Sequence, residues 1–260
     1  MSKANFLKMQ CENLSISVTS RVLLNSLQLE TIPGEFLAIL GPNGVGKSLA
    51  LHTLAGLRPT EVGKIMLNDQ PLNSLSRQEL ALILALMPQY TEDFFPATVF
   101  DTVMIGRHPH IDHLQWETVH DRNVGKKALA QVDLIGFEER DVLTLSGGER
   151  RRLAIAQILT QEPDIYLLDE PTNHLDPQHQ LDVLKLFRKK AYDGKTIIAS
   201  LHDINMAARF SDRCLLIFGD GRWQIGSPDR VLKSDLLSDL YATKIETLSW
   251  RDKQIFVAVG

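Results

Sequence analysis

The chain has 260 residues, 44% of them hydrophobic, which is enough for one or two domains with a sizeable core. Acidic residues outnumber basic ones 32 to 28 and the pI is near 6.1, so the composition carries no general electrostatic footprint for nucleic acid. Cys11 and Cys214 are far apart and without metal-ligand spacing, and neither a basic-apolar leader nor a run of about eighteen apolar residues is present, which predicts a chain of the reducing cytoplasm.

In chain order, residues 1–35 alternate in short apolar stretches such as Leu14-Ser-Ile-Ser-Val18 and Leu27-Gln-Leu29, which suit half-buried strands. The apolar run Phe36-Leu-Ala-Ile-Leu40 predicts a buried strand, and the run from Ser48 to Ala55 suits a helix. Between them lies Gly41-Pro42-Asn43-Gly44-Val45-Gly46-Lys47-Ser48, which fits the phosphate-binding pattern G-x-x-x-x-G-K-[ST]. Gly41, Gly44 and Gly46 permit backbone angles that let successive N–H groups converge on phosphate oxygens at a helix N-terminus. Lys47 then neutralises the β- and γ-phosphates, and Ser48 offers a hydroxyl to Mg²⁺. The competing reading is a glycine turn with a surface lysine.

Further strands are expected at Lys64-Ile-Met-Leu67 and Ala85-Leu-Met87, and the residues between Gln89 and Leu145 read mostly as helices. Leu145-Ser146-Gly147-Gly148-Glu149 begins a helix running to Leu159, whose cluster Arg150 to Arg152 is expected to form a solvated face. Ile165-Tyr-Leu-Leu-Asp169-Glu170 is a buried parallel strand with carboxylates at its C-terminal end, where open α/β sheets bind ligands. Asp169 suits Mg²⁺ and Glu170 suits polarising the attacking water. His202 follows the apolar strand Thr196-Ile-Ile-Ala-Ser200, Asp220-Gly221 signals a turn, and the segment Ser234 to Tyr241 reads as a helix with an N-cap serine.

The order of these motifs resembles ATP-binding cassette (ABC) proteins over nearly the whole chain, from about Met9 to about Arg230. The glycine loop is similar to the family's Walker A, Ile165 to Glu170 to its Walker B, and Leu145 to Glu149 to its signature. The resemblance implies an α/β P-loop NTPase (RecA-like) core with an N-terminal antiparallel β region and an inserted helical subdomain. It implies one ABC ATPase domain over 1–260: residues 1–88 and 160–235 as nucleotide-binding core, 89–159 as helical subdomain with the signature, and 236–260 as a C-terminal tail. In that family the signature, here Ser146, Gly147 and Gly148, faces the ATP of a second subunit, so the chain is expected to dimerise around two Mg-ATP. Gln89 matches the Q-loop glutamine that senses Mg²⁺ and water, His202 the switch histidine at the γ-phosphate, and Asp176 the D-loop aspartate that crosses the dimer interface.

Two positions depart from the family pattern. An aromatic residue usually stacks on adenine where Val18 or Arg21 falls here, with the Arg21 plane as a substitute, and Leu49 keeps a backbone N–H but no hydroxyl for an α-phosphate. The segment Val103-Met-Ile-Gly-Arg-His-Pro-His-Ile111 resembles the G-R-x-P-H stretch of cassettes that import iron siderophores, haem and vitamin B12. This implies a polytopic permease as direct partner, a substrate-binding protein as indirect one, no nucleic acid, and a peripheral position on the cytoplasmic face of the inner membrane. For His108, His110 and His113, permease contact is weighed against an ordered surface loop and a metal site that no carboxylate or cysteine completes. The alternative function is a soluble ABC ATPase acting on a protein or nucleic-acid complex.

Overall fold

In the computed structural model, which describes residues 7–89, 96–112, 115–251 and 253–259, the alternating N-terminal stretches pair as antiparallel β1 (Met9–Val18) and β2 (Arg21–Glu30). The next strand, β3 (Phe36–Leu40), is wholly buried and belongs to a different sheet. After α1 (Lys47–Leu54), β4 (Val62–Leu67) returns to the other edge of β1 and carries the short β5 (Gln70–Pro71). The order of this antiparallel sheet is therefore β2-β1-β4-β5.

The chain continues through α2 (Arg77–Ile83), β6 (Leu84–Met87) and three mutually packed helices, α3 (Val99–Met104), α4 (Val119–Gln131) and α5 (Gly147–Thr160). Strands and helices then alternate: β7 (Ile165–Asp169), α6 (Pro177–Tyr192), β8 (Thr196–Ser200), α7 (Ile204–Phe210), β9 (Arg213–Ile217) and β10 (Trp223–Gly226). The second sheet has the order β10-β9-β3-β8-β7-β6, parallel throughout except for β10. Two short helices, α8 (Pro228–Val231) and α9 (Ser234–Tyr241), precede the hairpin of β11 (Ile245–Trp250) and β12 (Lys253–Ala258).

A parallel sheet covered on both faces needs strands that are apolar on both sides, and β3 shows how this is met. Phe36, Ala38 and Leu40 join the core against the helices, while Leu37 and Ile39 join the core under α1 and the antiparallel sheet. Strand β7 divides the same way, with Tyr166 and Leu168 on the first face and Ile165 and Leu167 on the second. Both cysteines are buried and unpaired, and burial pushes the Cys11 thiol up to about 12.

Two expectations change. Ser234 does not cap α9: Lys233 is the capping residue, and the Ser234 hydroxyl lies 2.7 Å from that of Thr247. The three arginines of α5 do not form a solvated face either. Arg151 is buried, and Arg150 and Arg152 donate to the carbonyls of Leu145 and Leu143 and of Val132 and Asp133.

Candidate active site

Strands β3, β7 and β8 end at the same edge, so their C-terminal loops meet there, where ligands of open α/β sheets bind. From β3 the chain turns through the glycine loop into α1. Gly46 takes φ 108° at the helix cap, and a Cβ at Gly41 would stand 2.5 Å from the Ile217 carbonyl oxygen, so both positions require glycine. Lys47 is buried, and its ammonium donates to the carbonyls of Gly41 at 2.8 Å and Pro42 at 3.1 Å. Desolvation lowers its pKa, against the opposing pull of the Glu170 and Asp169 carboxylates. Those carbonyl bonds hold the lysine beneath the loop until a stronger anionic acceptor arrives.

Opposite the loop, Glu170 is the hub. One carboxylate oxygen lies 2.5 Å from His202 Nε2, and the other accepts from Gln89 Nε2 at 2.6 Å and from the Asn173 amide. Glu170 has φ 50°, a left-handed conformation costing about 1–2 kcal/mol for a residue with a Cβ. Bonds on both sides of the residue offset this: its N–H donates to Ser200 Oγ at 2.8 Å, and its carbonyl accepts from Asn173 N at 3.1 Å and Arg151 Nη2 at 2.6 Å. Ser200 Oγ in turn donates to Asp169 Oδ1 at 2.7 Å, so the buried Asp169 is oriented from the neighbouring strand.

These groups face one another across a cleft of about 610 Å³. Asn43, Gly44, Gly46, Lys47, Ser48 and Leu49 line one side, and Gln89, Glu170, Asn173 and His202 the other. Gly41, Pro42, Val45 and Asp169 stand behind this surface and support it. The hydroxyl of Ser48, the amide oxygen of Gln89 and the carboxylate of Asp169 are hard oxygen donors of the kind Mg²⁺ takes alongside phosphate oxygens, so the donor set fits that ion.

The signature residues and Asp176 are not part of the cleft wall. Ser146 caps α5 by accepting from Glu149 N while Glu149 Oε2 accepts from Ser146 N at 2.7 Å. A Cβ on Gly147 would meet nothing within 4 Å, whereas one on Gly148 would lie 3.4 Å from the His174 carbonyl oxygen. Asp176 caps α6 and pairs with His179 at 2.7 Å, and its bonds to the His179 N–H and ring hold its carboxyl below the usual range.

Arg21 donates to the Gly219 carbonyl at 2.9 Å beside Val45, and neither it nor Val18 lines the cleft. In the G-R-H-P-H segment, Arg107 is buried against Asp121 at 2.9 Å and also bonds the Thr160 carbonyl and Glu162. His110 Nε2 lies 2.8 Å from the Gln161 carbonyl oxygen, His108 is exposed, and His113 lies outside the described residues. Three contributors escaped sequence reasoning. Asn173 and Ser200 flank read motifs without a pattern of their own, and Arg151 was masked by its run of like charges.

A family model for ABC transporters matches residues 24–173. The hemin import ATP-binding protein HmuV of Rhodopseudomonas palustris is 40% identical over 236 residues, 87% of each chain. The petrobactin import ATP-binding protein FpuD of Bacillus anthracis is 36% identical over 234 residues, covering 90% of this chain and 86% of that one. A solved metal-chelate type ABC transporter in an inward-facing conformation superposes with a TM-score of 0.84 at 27% identity over 98% of both chains.

Proposed function

The chain belongs to the ABC transporter family, and we propose that it is the ATP-hydrolysing subunit of an importer for a metal chelate: a ferric siderophore, haem or cobalamin. The observation that carries the chemistry is the Glu170 carboxylate, held by Gln89, Asn173 and His202 across the cleft from Lys47. The loop N–H groups of residues 43–49 bind the phosphates, and Lys47 turns from its carbonyl partners to the β- and γ-oxygens. Mg²⁺, held by Ser48, Gln89 and Asp169, would neutralise charge on the phosphates. Glu170 takes the proton of a water as its oxygen attacks the γ-phosphorus and the bond to the ADP oxygen breaks, while His202, beside Glu170, contacts the γ-phosphate oxygens.

A second copy completes each site. Ser146, Gly147 and Gly148 lie at the positive end of α5, open to an approaching γ-phosphate, and Asp176 lies beside the same surface. We read residues 1–260 as one functional unit, with α3 to α5 as the part that meets the permease through the exposed Ile105 and His108. No helix among the described residues is long and apolar enough to cross a membrane. In this reading the protein sits on the cytoplasmic face of the inner membrane, held by its permease, with a substrate-binding protein delivering cargo on the far side.

The test is co-purification followed by reconstitution. A stable complex with a polytopic membrane protein, and ATP-dependent uptake of haem, a ferric siderophore or cobalamin into proteoliposomes, is the expected result. ATPase stimulated by nucleic acid or ribosomes, with no membrane partner, would support the soluble alternative.

A further inference from the structure

The ladder between β6 and β7 runs from Leu84↔Ile165 to Met87↔Leu168 and stops there. Beyond it the two chains part: Pro88 and Gln89 lead out on one side, while Asp169 pairs instead with Ser200 of β8. Asp169 and Glu170 at this fork are buried and Pro88 and Gln89 half-buried, and an unpaired buried acceptor is costly. One side chain bonds all four carbonyls, with Asn173 N as a second donor to that of Glu170. Arg151 Nη1 donates to the carbonyls of Pro88 at 2.9 Å and Gln89 at 3.0 Å, and Nη2 donates to those of Asp169 at 2.5 Å and Glu170 at 2.6 Å.

The guanidinium therefore replaces the missing rungs with a planar fork that a lysine cannot imitate. Only 5% of Arg151 is exposed, its Nε has no partner among the described residues, and burial brings its pKa down to about 10, so it remains charged at neutral pH. Among the described residues no carboxylate oxygen bonds it; the cation is held by carbonyl dipoles, with Asp169 and Glu170 nearby. The two carbonyl pairs belong to the residues whose side chains meet, since Gln89 Nε2 donates to Glu170 Oε2. Arg151 itself sits on the first turns of α5, one turn after Gly147.

We infer that Arg151 is a positioning residue for hydrolysis: it sets the backbone of Gln89 and Glu170 and ties both to the helix that carries the signature. A small rotation of α5 is then transmitted to the catalytic glutamate and the Q-loop by four hydrogen bonds rather than through the intervening loops. The inference rests on the reading of the cleft as an ATP hydrolysis site.

The experiment measures kcat and KM for ATP in the full chain with Arg151→Gln and Arg151→Lys, with kcat expressed per nucleotide-binding site counted by equilibrium titration. Glu170→Gln is measured in parallel. Misplacement of reacting groups by about 1 Å costs on the order of 10²-fold, so Arg151→Gln is expected to lose about 10- to 100-fold in kcat per site. Arg151→Lys, which reaches one carbonyl pair at a time, falls between it and the parent. KM for ATP stays within about two-fold in both, because the phosphate loop is untouched. A role confined to folding lowers the number of sites and leaves kcat per site intact. That result, or parental kcat in Arg151→Lys, overturns the inference while Glu170→Gln remains inactive; full activity in Glu170→Gln removes the cleft reading itself and this inference with it.

Discussion

On the cleft side, Lys47 is already bonded to the Gly41 and Pro42 carbonyls and Glu170 to Gln89, Asn173 and His202. At the start of α5, by contrast, Gly147 faces open space and the Ser146 hydroxyl accepts only from its own helix. The first region is preorganised within the chain, so its polar groups need only exchange partners when a nucleotide arrives. The second presents backbone N–H groups at a positive helix end, with open space beside Gly147 among the described residues. In the proposed dimer, a substitution in the cleft is therefore expected to be felt by the monomer, and one at Gly147 only by the pair.

The sharpest way to break this contrast is at its catalytic end. Glu170→Gln keeps the size but loses the proton acceptor and one of the two acceptor oxygens, so turnover should fall about 10²- to 10⁴-fold. ATP affinity, set by the phosphate loop, should change little. Single-turnover phosphate release with parallel nucleotide titration checks both. Near-normal turnover would remove Glu170 from its role.

The signature end is tested by Gly147→Val. A Cβ there would meet nothing within 4 Å among the described residues, so stability and ATP binding by the monomer are expected to match the parent, while turnover falls on the order of 10²-fold through lost contacts to the γ-phosphate across the proposed dimer. Mixing this variant with Lys47→Ala separates the two faces. A mixed dimer carries one doubly damaged site and one intact site, so two inactive proteins recover activity together. No recovery across mixing ratios would mean that the signature serves its own chain.

How far these faces could be read from residue order differs between them. Strand β3, the glycine loop and α1 were legible because five apolar residues, three glycines and a helix follow one another locally. The carboxylates of β7 were legible because an apolar run ends in them. Arg151 was not, because its partners are carbonyls at a fork in the sheet, and no sequence pattern marks where a ladder stops. Arg107 escaped because its carboxylate partners Asp121 and Glu162 are distant in sequence: the G-R-H-P-H segment suggested a contact surface, yet its arginine lies inside, and only Ile105, His108 and His110 remain exposed. The starts of α5 and α4 are fixed by capping boxes, Ser146 with Glu149 and Thr118 with Asp121, which the motif reading passed over.

That buried Arg107 supplies a test of the scaffold under the signature face. Asp121 accepts from Arg107 Nε and from the Thr118 hydroxyl and N–H. The Thr118 hydroxyl foremost, together with the Arg107 guanidinium, holds the Asp121 carboxyl at about 2, below its ordinary 3.8. A depressed carboxylate stabilises the fold above its unfolded pKa and ceases to do so as pH falls through the folded value. The contribution is thus complete above about pH 4 and is lost between about pH 4 and pH 2. Asp121→Asn should cost about 2 kcal/mol at neutral pH, and the gap between variant and parent should narrow in that acid window. Urea unfolding at a series of pH values measures it, and a gap that widens with acid would reverse the sign.

The smallest expected effect concerns whether the cleft is as self-contained as its bonds indicate. Asn205, on α7 three residues after His202, donates to the Phe256 carbonyl at 3.1 Å and accepts from Phe256 N at 2.8 Å. Its amide thus pairs with β12 as a neighbouring strand would, and pins the C-terminal hairpin to the helix that follows His202. Asn205→Ala should release this attachment at a cost of about 1 kcal/mol, seen as faster amide exchange of β12. If the cleft is organised by its own loops, ATP turnover stays within about two-fold. A larger fall, with His202 and every P-loop residue unchanged, would mean that α7 carries strain from the hairpin to His202, and that the hub around Glu170 is set from outside the cleft as well as from within.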